Sequence, residues 1–102
     1  MLETFIETNP ADPFPRYSLA LECMSNLGDY ERAQALFGSL VTEHPSYVAT
    51  YLMYGNLLTQ HLGEPEKARE ILAHGIDVAR EAGDSHAASE LTAALAELGK
   101  SA

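Results

Sequence analysis

The sequence predicts an all-α fold of antiparallel helical pairs. Apolar residues recur at helical spacing in every long segment, and no segment alternates with period two over a useful length. Proline and glycine cut the chain into helices of roughly two to five turns with loops of only a few residues, which forces neighbours to run antiparallel. The pattern then recurs: Tyr17 and Tyr51 are 34 positions apart, and Gly28 and Gly63, Ala33 and Ala68, and Phe37 and Leu72 are each 35 apart.

The elements follow in chain order. Residues 2–8 carry Leu2, Phe5 and Ile6 and form a short helix that covers one end of the stack. Asp12 caps a helix with Pro13 at its first position, and Tyr17, Ala20, Leu21, Met24 and Leu27 line its apolar face until Gly28 stops it. Asp29 caps the second helix, whose face is Ala33, Leu36, Phe37, Leu40 and Val41. His44-Pro45 ends it, because the residue before proline is pushed out of helical angles.

Ser46 starts the third helix, with Val48, Tyr51, Leu52, Tyr54, Leu58 and Leu62 apolar and Gly63 as a left-handed cap. From Ser46 to Leu62 there is no Asp, Glu, Lys or Arg. Interrupted by Thr50, Asn56, Thr59, Gln60 and His61, this stretch is too short and too polar to span a bilayer, and it reads as a helix buried on several sides. Glu64-Pro65 opens a fourth helix with Ala68, Ile71, Leu72, Ile76 and Ala79, ending near Gly83. Asp84 or Ser85 caps a last helix with Leu91, Leu95 and Leu98, before Gly99.

The two copies read Tyr17-Ser-Leu-Ala-Leu-Glu-Cys-Met24 with Leu27-Gly-Asp-Tyr-Glu-Arg-Ala33, and Tyr51-Leu-Met-Tyr-Gly-Asn-Leu-Leu58 with Leu62-Gly-Glu-Pro-Glu-Lys-Ala68. One extra residue around His61-Leu62 accounts for the change from 34 to 35. At these residues the chain resembles the tetratricopeptide repeat family, in its short bacterial form. That pattern wants an aromatic early in the first helix (Tyr17, Tyr51), a small residue one turn later (Gly55), and an alanine early in the second helix (Ala33, Ala68). A large apolar residue (Phe37, Leu72) and a closing proline (Pro45) complete it. Leu21, Gly75 and Arg80 depart from it. The resemblance covers roughly residues 12–98 and implies a right-handed superhelix of about two and a half repeats. As one domain, 1–102, it would comprise the N-terminal helix 2–8, repeat 1 at 12–45, repeat 2 at 46–83 and a capping helix at 84–98.

Six Lys or Arg stand against fifteen Asp or Glu, a net charge of −9. That leaves no positive field for a nucleic-acid backbone or an anionic membrane surface, so neither is expected as a partner. The single cysteine, Cys23, forbids an intrachain disulfide, and the first residues lack a basic segment followed by an apolar run; a cytoplasmic protein is expected. His44, His61, His74 and His86 show no metal-ligand spacing, the glycines are dispersed rather than grouped for phosphate, and no basic cluster activates Cys23. No enzyme, cofactor or metal is expected.

In stacked pairs of this family the first helices line the concave side, and here they are nearly neutral: Glu22 is the only charge between Tyr17 and Asn26. The resemblance implies a partner-binding groove at Ser18, Glu22, Ser25 and Asn26 in the first copy and Leu52, Asn56, Thr59 and Gln60 in the second, with His86 and Ser89 on the last helix. Asn56 stands where family members hold a peptide backbone with an amide that both donates and accepts. Without Lys or Arg at these positions, the groove is unsuited to acidic tails and favours an uncharged or basic segment with an apolar anchor, or a partner helix. Two alternatives stay open: a structural, self-associating homodimer, and a segment of a longer repeat scaffold.

Overall fold

The computed structural model describes residues 11–101, and the expected helix at 2–8 lies outside them. Five α-helices follow in order: α1 (Pro13–Glu22), α2 (Tyr30–Glu43), α3 (Ala49–Gln60), α4 (Pro65–Glu81) and α5 (Ser85–Ser101), with a π-helical turn at Cys23–Leu27 after α1. No strand occurs among the described residues. The chain divides into two compact units, the first ending at Tyr47 and the second beginning at Val48.

Among the described residues the first unit is one helical pair. The Asp12 carboxylate accepts the Phe14 N–H at 3.0 Å, and Pro13 occupies a first-turn position where no N–H is needed. Leu19, Ala20, Cys23 and Met24 bury against Ala33, Phe37 and Leu40 of α2. The side-chain-poor Ala20 and Ala33, both fully buried, let the backbones approach closely. Tyr17 meets Tyr47 edge-on with ring centroids 5.6 Å apart and Phe37 at 6.3 Å. Such aromatic pairs add about 0.5–1.5 kcal/mol each beyond burial.

One buried charge was not anticipated. Arg16 is 7% exposed, and its guanidinium lies 3.1 Å from the Glu43 carboxylate and donates to Ser39 Oγ at 3.3 Å, while that hydroxyl donates to the Leu36 carbonyl. The pair ties the start of α1 to the end of α2.

The structure corrects one expectation within this unit and one at the start of the next. The first helix does not stay α-helical to Leu27, because its last turn widens to π geometry. A π turn takes up an extra residue and breaks the 3.6-residue phase, so Leu27 does not return to the core and is 61% exposed. Gly28 then adopts φ 64°, and the Asp29 N–H bonds the Cys23 carbonyl at 2.9 Å. Asp29 caps α2 through the Arg32 N–H at 3.3 Å. His44 ends α2 before Pro45, and a turn closes from the Tyr47 N–H to the His44 carbonyl at 3.0 Å. That turn consumes Ser46, so α3 begins at Ala49 rather than at Ser46, without a side-chain cap.

The second unit is a three-helix stack in which α4 packs against both α3 and α5. As its lack of charge implied, α3 is buried on several sides, at Thr50, Tyr51, Tyr54, Gly55, Leu57 and Leu58. Gly55 faces Leu72: a Cβ there would stand 2.5 Å from Leu72 Cδ2. Gly75, one of the departures from the family pattern, has the same physical cause, since a Cβ would overlap Tyr51 Cβ and crowd Leu91. After α3, Gly63 adopts φ 61° and the Glu64 N–H bonds the Leu58 carbonyl at 2.9 Å, the same closure as at Gly28-Asp29. In both copies four residues stand between the accepting carbonyl, Cys23 or Leu58, and the glycine, so the step from 34 to 35 falls before these carbonyls rather than at His61-Leu62 as expected.

Asp84, rather than Ser85, caps α5 by accepting the Ala87 N–H at 3.0 Å. That helix does not stop at Gly99. Positive φ occurs only at Gly28, Gly63 and Gly83 among the described residues, and α5 continues through Lys100 to Ser101.

Candidate partner-binding faces

On α1, helical spacing aligns Ser18 and Glu22 along one face, and Ser25 and Asn26 follow in the π turn. Ser18 is half-buried, whereas Glu22, Ser25 and Asn26 are exposed. The Asn26 amide donates to Glu22 Oε2 at 2.7 Å, so these two form a single polar unit. One turn before Ser18 on the same line stands Phe14, 60% exposed. Sequence reasoning passed over it. Its signal was the i, i+4, i+8 register of Phe14, Ser18 and Glu22, masked by the two prolines that flank it. An aromatic ring left in water at the head of a polar helix face is a candidate anchor.

On α3, Leu52 and Asn56 are half-buried, and Thr59 and Gln60 are exposed. The chain reverses direction at Gly63 and again at Gly83, so α5 runs the same way as α3 and their C-terminal ends meet. Between them lies a recess of about 160 Å³ lined by Asn56, Thr59 and Gln60 of α3, Leu72 of α4, and Ala94, Glu97 and Leu98 of α5. The Thr59 hydroxyl proton is committed to the Gly55 carbonyl at 2.8 Å, which leaves its oxygen able only to accept from a visitor.

His86 and Ser89 do not join this group. They lie in the first turns of α5, whereas Asn56 to Gln60 meet its C-terminal half. The Nε2 atom of His86 is 3.3 Å from the Glu90 carboxylate, and Ser89 lines a separate concavity of about 640 Å³ with Arg80, Ala88 and Thr92. The recess residues Ala94, Glu97 and Leu98 were missed because the fold, and not the local pattern, decides which turn of α5 meets α3.

The residues that invited a chemical reading have structural surroundings. Cys23 is fully buried, and burial together with the Asp29 and Glu22 carboxylates pushes its thiol pKa up, away from a nucleophilic thiolate. Burial likewise raises Tyr17, Tyr47 and Tyr51, with Tyr17 and Tyr47 further raised by Tyr47 and Asp12 respectively. His74 packs edge-on against Tyr51 at 5.3 Å, and His44 and His61 stand at the ends of α2 and α3. Among the described residues no three His, Cys, Asp or Glu side chains gather as a metal site, and no helix is long and apolar enough to cross a membrane.

Comparison with known proteins gives concordant results. A tetratricopeptide repeat family pattern matches residues 27–95. The solution structure of a tetratricopeptide repeat domain protein from Salinibacter ruber is similar at 42% identity, covering 87% of this chain and 88% of that one, with a TM-score of 0.82. A crystal structure of a tetratricopeptide repeat domain protein from the same organism is 41% identical over 86% of this chain and 97% of that one, with a TM-score of 0.81. No curated protein matches the chain.

Proposed function

The chain belongs to the tetratricopeptide repeat family, a family of protein-interaction and scaffold modules, and from that premise we propose that it binds a peptide segment of a partner protein along the exposed face of α3. The observation that carries this reading is the α3 face. A half-buried leucine, Leu52, is followed by Asn56, Thr59 and Gln60 around a recess, on a helix with no Asp, Glu, Lys or Arg. Leu52 offers apolar area to an incoming side chain. Asn56 and Gln60 both donate and accept, which suits a peptide backbone whatever its sequence. Within the first unit, the exposed Phe14 of α1 is a separate apolar candidate, two turns before Glu22.

The charge distribution supports the same reading. The acids of the helical pairs fall mainly on α2 and α4, at Glu31, Glu43, Glu66, Glu70, Asp77 and Glu81, while α3 carries none. The net −9 therefore repels polyanions at long range and leaves the binding face close to neutral. The reading is of a binding module without catalysis.

The test is a titration of a binding peptide, selected from a random library on the folded chain, against the native protein and the double variant Leu52→Glu, Asn56→Ala. Anchors at the centre of such interfaces contribute about 2 kcal/mol or more, so affinity should fall at least about tenfold while the helical circular-dichroism signal is retained. Unchanged affinity in the variant rejects the α3 face.

A further inference from the structure

We infer that the recess between the C-terminal ends of α3 and α5 seats the side chain of a lysine or arginine from the bound segment. This deepens the proposed function and rests on it. Size is the first argument: at about 160 Å³ the recess falls below the roughly 300–1,000 Å³ of sites that take whole small molecules, and it suits a single side chain. Its lining is the second. Leu72, Ala94 and Leu98 present an apolar wall along which the methylene stem of a long basic side chain can lie.

The polar rim is the third argument, and it gives the sign of the charge. Glu97 is the one acidic residue among those that line the recess, and Thr59 Oγ1, its proton already donated to the Gly55 carbonyl, can only accept. The amide oxygens of Asn56 and Gln60 add two further acceptors. Helix α3 ends at Gln60, so the recess also adjoins the negative end of that helix's macrodipole. No Lys or Arg lines it. Lys100, whose ammonium is 4.0 Å from the Glu97 carboxylate and 77% exposed, is a weak internal competitor for the same group. An acidic side chain would meet like charge here, and an aliphatic one would cover the acceptors without replacing their hydrogen bonds with water.

The test is an amide NMR titration with N-acetyl-lysine methylamide and with N-acetyl-norleucine methylamide, which keeps the four-carbon stem and lacks the ammonium group. The lysine probe should give saturable shifts at Asn56, Gln60, Ala94 and Leu98, and the norleucine probe should bind at least about fivefold more weakly, as expected for losing one partly exposed charge pair. Glu97→Gln should weaken the lysine probe by a similar factor, and Lys100→Ala should strengthen it. Equal shifts with both probes, or indifference to Glu97→Gln, overturns the inference. The library-selected peptide separates this from failure of the groove. Binding lost in Leu52→Glu, Asn56→Ala but unaltered in Glu97→Gln upholds the α3 face and overturns the basic-side-chain seat. Loss in both upholds both.

Discussion

Replacing Gly75 with alanine adds one methyl group at the point where α3, α4 and α5 converge. Helix propensity alone would make the change favourable by about 1 kcal/mol. Packing opposes it: the new Cβ would overlap Tyr51 Cβ, stand 2.9 Å from Tyr51 Cγ and 3.2 Å from Leu91 Cδ2. Tyr51 Cβ is bonded directly to the backbone and Tyr51 is fully buried, so relief requires α3 and α4 to separate. Overpacking of this kind costs about 1–3 kcal/mol and at a confined site reaches the upper end, for a net loss of about 1–2 kcal/mol. That lowers the midpoint of thermal unfolding by about 4–15 °C in a domain of this size. Two other helical glycines of the same unit serve as controls. At Gly55 the obstruction is the Leu72 side chain, 2.5 Å away at Cδ2 and 2.8 Å at Cγ, which can shift more readily than Tyr51 Cβ, and a smaller net loss of about 0–1 kcal/mol is expected. At Gly99 nothing lies within 4 Å, so alanine should stabilise by about 0.5–1 kcal/mol. Urea and thermal melts followed by far-ultraviolet circular dichroism should rank Gly99→Ala above the native chain, then Gly55→Ala, then Gly75→Ala. A Gly75→Ala variant as stable as the native chain refutes the packing argument.

Three further outcomes are expected. Tyr17, Tyr47 and Tyr51 titrate above their ordinary value of 10.0 in the fold, so the unfolded chain releases these protons first; their contribution is complete below about pH 9 and is lost as pH rises through the folded values, and a urea midpoint that holds steady or increases from pH 9 to 11.5 contradicts this. Cys23, fully buried with a raised pKa, should react with Ellman's reagent at least about tenfold more slowly in the native chain than in urea at pH 8; similar rates would mean that the π turn opens readily. Arg16→Ala should cost about 2–3 kcal/mol by removing a buried stem and stranding its partners, whereas Glu43→Gln, at a residue 56% exposed on its side chain, should cost less than about 1 kcal/mol; equal losses would mean that charge rather than packing dominates.

Most of the architecture is written in short-range signals. Asp12 and Asp29 cap the helices that they were expected to cap, Asp84 is the one of the two candidates that caps α5, and Gly28, Gly63 and Gly83 take the left-handed angles that their places in the pattern require. These depend on a few consecutive residues, so the sequence displays them. The α3 start moved because Ser46, an attractive cap by type, was taken by the turn after Pro45. Gly99 was misread as a stop because a glycine with open space around it is tolerated inside a helix. The π turn and the exposure of Leu27 arise from how one helix closes, and residue type alone does not signal it. The candidate site was legible in part. Asn56, Thr59 and Gln60 were found from their place in the repeat, whereas Glu97 and Leu98 join them only because two chain reversals bring the end of α5 beside the end of α3.

Whether the α3 face holds a protein partner is read from a natural partner of the chain. A partner recovered by affinity purification on the native chain should be purified and titrated calorimetrically against the native chain and against Leu52→Glu, Asn56→Ala. Saturable binding is expected, weakened at least about tenfold in the variant with the unfolding midpoint preserved. A partner that binds both proteins equally well would contradict it.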